Sequence, residues 1–165
     1  MRLPKLGIAT FIALLTVVAD TSISLYSLTS LPVPKVLAQT NSEKKAEASR
    51  LFMQGLQQSE RSQFREALQS FQQALIIYRE IGDRSGEGRS LGNLGGAYSS
   101  LRDYHKAIDY HQQSLAIFRA IGDRSGEGRS LGNLGLAYRF LRDYHKAIDY
   151  HQQSLVIFQE TILNL

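Results

Sequence analysis

Apolar side chains recur every three or four positions through most of the chain beyond residue 48, the spacing of helices that bury one face. Leu91, Leu94, Tyr98 and Leu101 form one such stripe and predict a helix from about Arg84 to Leu101. Tyr104, Ala107, Ile108, His111, Leu115 and Phe118 form the next, with Lys106, Asp109, Gln112 and Gln113 left for water. Asp83 is placed to cap the first helix, Gly82 to stop the one before it, and Arg102-Asp103 to separate the pair. Residues 81–120 then return as 121–160 with six changes in forty positions: Gly96/Leu136, Ser99/Arg139, Ser100/Phe140, Ala116/Val156, Arg119/Gln159 and Ala120/Glu160. A diverged copy fills 48–80, where Leu51, Gly55, Phe64, Ala67, Leu68, Leu75 and Tyr78 occupy the positions of Leu91, Gly95, Tyr104, Ala107, Ile108, Leu115 and Phe118. The expected architecture is all-α: three two-helix units, six helices in all, stacked because one hairpin alone cannot bury both of its stripes.

Glycine adds a constraint. Gly88, Gly92, Gly95 and Gly96 fall within the predicted first helix of the second unit, and each weakens an isolated helix by roughly 1 kcal/mol relative to alanine. Such a helix must be held by its neighbours, with each buried Leu or Phe returning roughly 1.5 to 3 kcal/mol. Gly95 and Ala107 are expected to let the two backbones of a hairpin approach, and Gly96→Leu, the residue of the third copy, is expected to raise the melting temperature.

The arrangement resembles the tetratricopeptide repeat. Leu94, Gly95, Tyr98, Tyr104 and Ala107 carry the resemblance in the second unit, and Leu134, Gly135, Tyr138, Tyr144 and Ala147 carry it in the third. In the first, Gly55, Phe64 and Ala67 are kept, while Gln54 and Gln58 replace the expected Leu and aromatic. Leu91 and Leu131 stand where the family has a bulky aromatic, no helix-ending proline is present, and the forty-residue period is similar to the long-helix variety. The resemblance implies a right-handed solenoid of helical hairpins: unit 1 at 48–80, unit 2 at 81–120, unit 3 at 121–160, and a tail at 161–165. It also implies a non-catalytic module that binds a protein or peptide against its first helices. Secreted bacterial proteins similar to this one often carry such repeats ahead of a caspase-like peptidase domain, so a sensing part of such a system is an alternative.

By the match of motif positions, the partner-binding residues are Arg89, Asn93, Gly96, Ser99 and Ser100, followed by Arg129, Asn133, Leu136, Arg139 and Phe140. Arg89 and Asn93 are four apart and thus stack on one helix face, and Arg129 and Asn133 repeat them one unit on. An Asn amide can serve both an N–H and a C=O of a bound backbone, and Arg grips a carboxylate with two donors. Three of the six differences between the copies fall on these inward positions, which marks the groove as the place where the copies diverge.

The N-terminal 38 residues read differently. Arg2 and Lys5 precede the uncharged stretch Gly7–Ala19, too short for the roughly 20 residues of a membrane span and of the length of a signal-peptide core. Small residues permit cleavage after Ala38 or after Ala19. The later site is preferred because Pro32 and Pro34 precede it and the chain turns polar after it, as a lead-in over 39–47. The expectation is an extracytoplasmic protein, periplasmic or secreted, with an uncleaved membrane-tethering anchor as the alternative.

Charge and composition narrow the chemistry. Residues 1–38 hold three of the 19 Lys and Arg and one of the 15 Asp and Glu, leaving 16 and 14 in the remainder. That near balance argues against nucleic acid as a partner. The absence of cysteine excludes disulfides, thiolate metal sites and a cysteine nucleophile. His105 and His111, like His145 and His151, sit six apart on different sides of their helix, so no metal is expected, and no cofactor. His111 and His151 are expected to fill contacts between units, and Tyr110 and Tyr150 to be packing residues. After Phe158 the apolar Ile162, Leu163 and Leu165 suggest an exposed edge, hence possible self-association, with end-to-end stacking through the last helix as a structural alternative.

Overall fold

In a computed structural model, the described residues are Val33–Leu163, with side chains described from residue 40, excepting Ile162. They form six helices and no strand: α1 Val33–Glu60, α2 Phe64–Glu80, α3 Arg84–Ser100, α4 Tyr104–Ile121, α5 Arg124–Phe140 and α6 Tyr144–Leu163. The chain divides into two units, residues 1–37 and 38–165. Of the signal-peptide reading of residues 1–38, residues 1–32 lie outside the described residues. α1 runs continuously across the Ala38–Gln39 junction and through the stretch expected as a lead-in, so it is 28 residues long where the other helices have 17 to 20.

The forty-residue period has a local cause. The Asp83 and Asp123 carboxylates accept the Gly86 and Gly126 N–H groups, each at 2.8 Å, satisfying donors that a helix start leaves open. Asp103 and Asp143 do the same for Lys106 and Lys146 at 3.3 and 3.2 Å. The four turns after α2 close by the same back-bond, from the capping Asp N–H to a carbonyl five residues earlier: Asp83 to Tyr78, Asp103 to Tyr98, Asp123 to Phe118, Asp143 to Tyr138. The bond requires a left-handed residue just before the Asp. Between units that residue is Gly82 or Gly122, both at φ 71°, whereas within units it is Arg102 or Arg142 at φ 62°.

Packing follows the apolar stripes. Leu91, Leu94, Leu131 and Leu134 are all at most 1% exposed, so each contributes burial worth about 2 kcal/mol. Apart from Gly96, the glycines of α3 and α5 face second helices. A Cβ on Gly95 would stand 2.6 Å from the His111 ring, so the close approach that the sequence suggests is made against His111, with Ala107 fully buried nearby on the same helix. Gly55 meets Phe71 and Gly135 meets His151 in the same way. His111 thus packs within its own hairpin. Its burial at 2%, against an exposed His151, shows that the following unit also covers it, as expected for a contact between units. Tyr110 and Tyr150 stack on Tyr98 and Tyr138 at 5.3 and 5.4 Å between ring centres.

One buried ionic link ties each unit to the next. Glu127, with its side chain 8% exposed, accepts from Arg119 Nε at 2.9 Å and from Arg124 at 2.6 Å, and Glu87 is held likewise by Arg79 and Arg84. Burial works against the charge on Glu127, but the hydrogen bonds from Arg119 and Arg124 outweigh it and hold its carboxyl below the usual range.

Candidate functional site

Stacking the hairpins sets the first helices side by side, and α3 and α5 touch directly. Positions four apart on each then align into a surface spanning the units. A cleft of about 400 Å³ opens here, lined by Arg89, Asn93, Arg129 and Asn133, by Phe52 and Leu56 of α1, and by Phe118 of α4. Four of the predicted binding residues are therefore gathered in one place.

Gly88, Gly92, Ser114 and Ser130 complete the lining, and the missing side chains of the two glycines hold the cleft open to α4. A Cβ on Gly88 would lie 3.0 Å from the Phe118 ring, and one on Gly92 3.3 Å from Ser114 Oγ. The buried Ser114 hydroxyl donates to the Gly88 carbonyl at 2.9 Å and lies 3.1 Å from Ser130 Oγ, fixing the depth at which α3, α4 and α5 meet. Ser154 repeats the bond to Gly128 at 2.8 Å.

The polar rim is partly preset. The Asn93 amide donates to the Arg89 carbonyl of its own helix at 2.9 Å, which orients the side chain and leaves its oxygen and second N–H for a partner. The Arg89 guanidinium lies 5.3 Å from the Phe52 ring centre, a cation–π contact. Asp83 is half-buried, which works against its charge, but the Gly86 N–H, Lys45 and the charge of Arg89 together hold its carboxyl below the usual range. Among the described residues neither Arg89 nor Arg129 forms a salt bridge, and both are exposed. The cleft therefore presents two cationic forks and two primary amides above an apolar floor.

The other predicted residues lie farther along α3 and α5 and do not line the cleft. Leu136 is 40% exposed, while its counterpart Gly96 has nothing within 4 Å of an added Cβ. Ser100 donates back to the Gly96 carbonyl at 3.1 Å. Phe140 stacks on Tyr104 at 4.9 Å, and the Arg139 guanidinium lies 5.3 Å from its ring centre, giving a half-exposed aromatic patch at the end of α5. Ser99 is half-buried.

Sequence reasoning missed the apolar floor. Leu56 sits one period before Gly96, an inward position already recognised, and Phe52 one period before Gly92. Projecting the groove positions back by forty residues into the diverged first unit is the signal that finds both. Among the described residues no three His, Asp or Glu side chains gather as a metal site.

Stacked helical hairpins with a polar groove along their first helices define a helical-repeat protein. The tetratricopeptide-repeat family profile matches residues 55–120 and 101–160, and the chain belongs to this family. Its fold is similar to the tetratricopeptide-repeat domain of Arabidopsis FLU, 24% identical, covering 71% of this chain and 98% of that one with a TM-score of 0.68. It is also similar to aspartyl phosphate phosphatase F from Bacillus subtilis, 21% identical over 73% of this chain, TM-score 0.70, and to BtubC from P. vanneervenii, 20% identical over 75%, TM-score 0.66. The matched region spans 32% and 52% of those two chains. No curated protein matches the chain.

Proposed function

We propose that this chain is a non-catalytic scaffold that holds a peptide segment of a partner protein in the cleft between α1, α3 and α5. The observation that carries the reading is the convergence of Arg89, Asn93, Arg129 and Asn133 on one cleft floored by Phe52, Leu56 and Phe118. Guanidiniums select carboxylates, amides hold an extended backbone, and the floor takes an apolar side chain. The fitting partner is therefore an acidic segment carrying at least one bulky apolar residue.

The sequence of residues 1–38 supports an extracytoplasmic location. Cleavage after Ala38 leaves Ala48, Leu51 and Phe52 of α1, all buried in the core, within the mature chain. Among the described residues no helix is long and apolar enough to cross a membrane. N-terminal sequencing of the protein from a bacterial envelope tests this location, and a chain still beginning at Met1 counts against cleavage.

The groove is tested by Asn93→Ala combined with Asn133→Ala, with capture of partners from an envelope extract as the readout. The expected result is loss of captured protein with an unchanged circular dichroism spectrum. Undiminished capture would sink the groove reading.

A further inference from the structure

Two groove positions are filled in the first unit and hollow in the second. α1 carries Phe52 and Leu56 where α3, one period on, carries Gly92 and Gly96. The Phe52 ring is 8% exposed, packs on Phe71 at 5.6 Å between ring centres and lies 5.3 Å from the Arg89 guanidinium. The first unit thus displays what sits at this position beside the arginine of the following first helix. It is an aromatic ring.

Arg129 is the counterpart of Arg89, with Gly92 in the place of Phe52. Among the described residues Arg129 makes no ion pair and no cation–π contact, although it lines the same cleft as Gly92, Ser114 and Asn133. A Cβ on Gly92 would meet only Ser114 Oγ, at 3.3 Å, and one on Gly96 nothing within 4 Å, so the space that Phe52 and Leu56 fill in the first unit is open cleft in the second. The hollow is bounded by residues of α1, α3, α4 and α5, with none from α6.

We propose that the hollow at Gly92 is a subsite for one aromatic side chain of the bound acidic segment, whose ring takes beside Arg129 the place that Phe52 holds beside Arg89. The inference rests on the groove reading and adds the residue type that the cleft selects. The face of an aromatic ring attracts a guanidinium, whereas an aliphatic side chain of the same size offers burial alone. A guanidinium stacks through its face and pairs through its edge, so Arg129 can hold the ring and a neighbouring carboxylate together.

The test titrates three capped acidic pentapeptides into the full chain at low salt, up to about 1 mM, where even weak binding is populated, and follows them by nuclear magnetic resonance. All three have two glutamates on each side of a central residue, which is phenylalanine, cyclohexylalanine or alanine. The phenylalanine peptide is expected to bind about fivefold more tightly than the cyclohexylalanine peptide and at least about tenfold more tightly than the alanine peptide. Gly92→Phe, which puts the residue of the first unit into the hollow, is expected to make the three bind alike. Arg129→Gln, at a position exposed to solvent, is expected to abolish the difference between phenylalanine and cyclohexylalanine. Equal binding of all three peptides by the parent chain overturns the subsite and leaves the groove reading standing. Equal binding of phenylalanine and cyclohexylalanine, or an aromatic preference that survives in Gly92→Phe or in Arg129→Gln, likewise overturns it. Absence of binding by every peptide overturns the groove reading and the subsite with it.

Discussion

Gly95 and Gly96 are adjacent on α3, yet replacing each by alanine is predicted to move stability in opposite directions. Alanine in a helix interior is favoured over glycine by roughly 1 kcal/mol. At position 96 a Cβ meets nothing within 4 Å, so the gain stands, and a rise of about 4 °C in Tm follows for a domain of this size. At position 95 the Cβ would lie 2.6 Å from two atoms of the His111 ring, which is itself 2% exposed and has nowhere to retreat. Overpacking of that kind costs up to about 3 kcal/mol, leaving a net loss of about 2 kcal/mol after the propensity gain. Gly135→Ala is the internal control: the contact is the same, at 2.7 Å from His151, but that histidine is exposed and can swing away, so the change is expected to be close to zero. Urea titrations of the three variants beside the parent chain measure the differences. If Gly95→Ala stabilises as much as Gly96→Ala does, the placement of α3 against α4 is refuted.

The remaining predictions concern charge, capping and the groove. His111 is buried with Nδ1 lacking a hydrogen-bond partner, and burial lowers its pKa from about 6.5 to about 4. A group whose folded pKa is depressed resists the proton that the unfolded chain accepts. Stability is therefore expected to fall by about 3 kcal/mol as pH drops from 6.5 to 4, with only the part above about pH 5 free of carboxylate titration, and His111→Gln should flatten that part of a pH series of urea midpoints. Asp123→Ala removes the cap on Gly126 and should lower stability by about 1 kcal/mol, with faster hydrogen exchange confined to the first turn of α5. Arg89→Gln with Arg129→Gln should weaken binding of an acidic partner and reduce its salt dependence, measured by calorimetry at two ionic strengths.

Local chemistry was readable from the sequence wherever it is set by neighbours in the chain. Asp83, the Leu91 and Leu94 stripe and the Arg-Asn spacing of four all appear in the structure where periodicity placed them, because a helix fixes positions i, i+3 and i+4 with no outside help. Burial set by other units was not readable. Ile108 and Ile148 have the same neighbours in sequence and opposite exposure, since what decides it is whether another first helix lies alongside. The ring that Gly95 meets, His111, was not readable for a related reason: helix spacing gives a face, while the ring that fills the gap depends on how far one helix slides along the other. In the site, the polar rim was found through the match to the family's motif positions, and the floor was hidden because Phe52 and Leu56 belong to the unit whose letters have diverged most. The length of α1 had no signal in its apolar pattern, as residues 40–47 are mostly polar and exposed.

The central claim is that partners lie against the first helices, in the cleft of the paired Arg and Asn residues. Site-specific incorporation of a photo-crosslinking phenylalanine tests it most directly, with the probe at Asn93 or Asn133 inside the cleft and at Gln113 or Gln153, both exposed on the second helices. The account predicts that the cleft probes crosslink to a captured partner and that the outer probes do not. Crosslinking from Gln113 or Gln153 with none from Asn93 and Asn133 would contradict it.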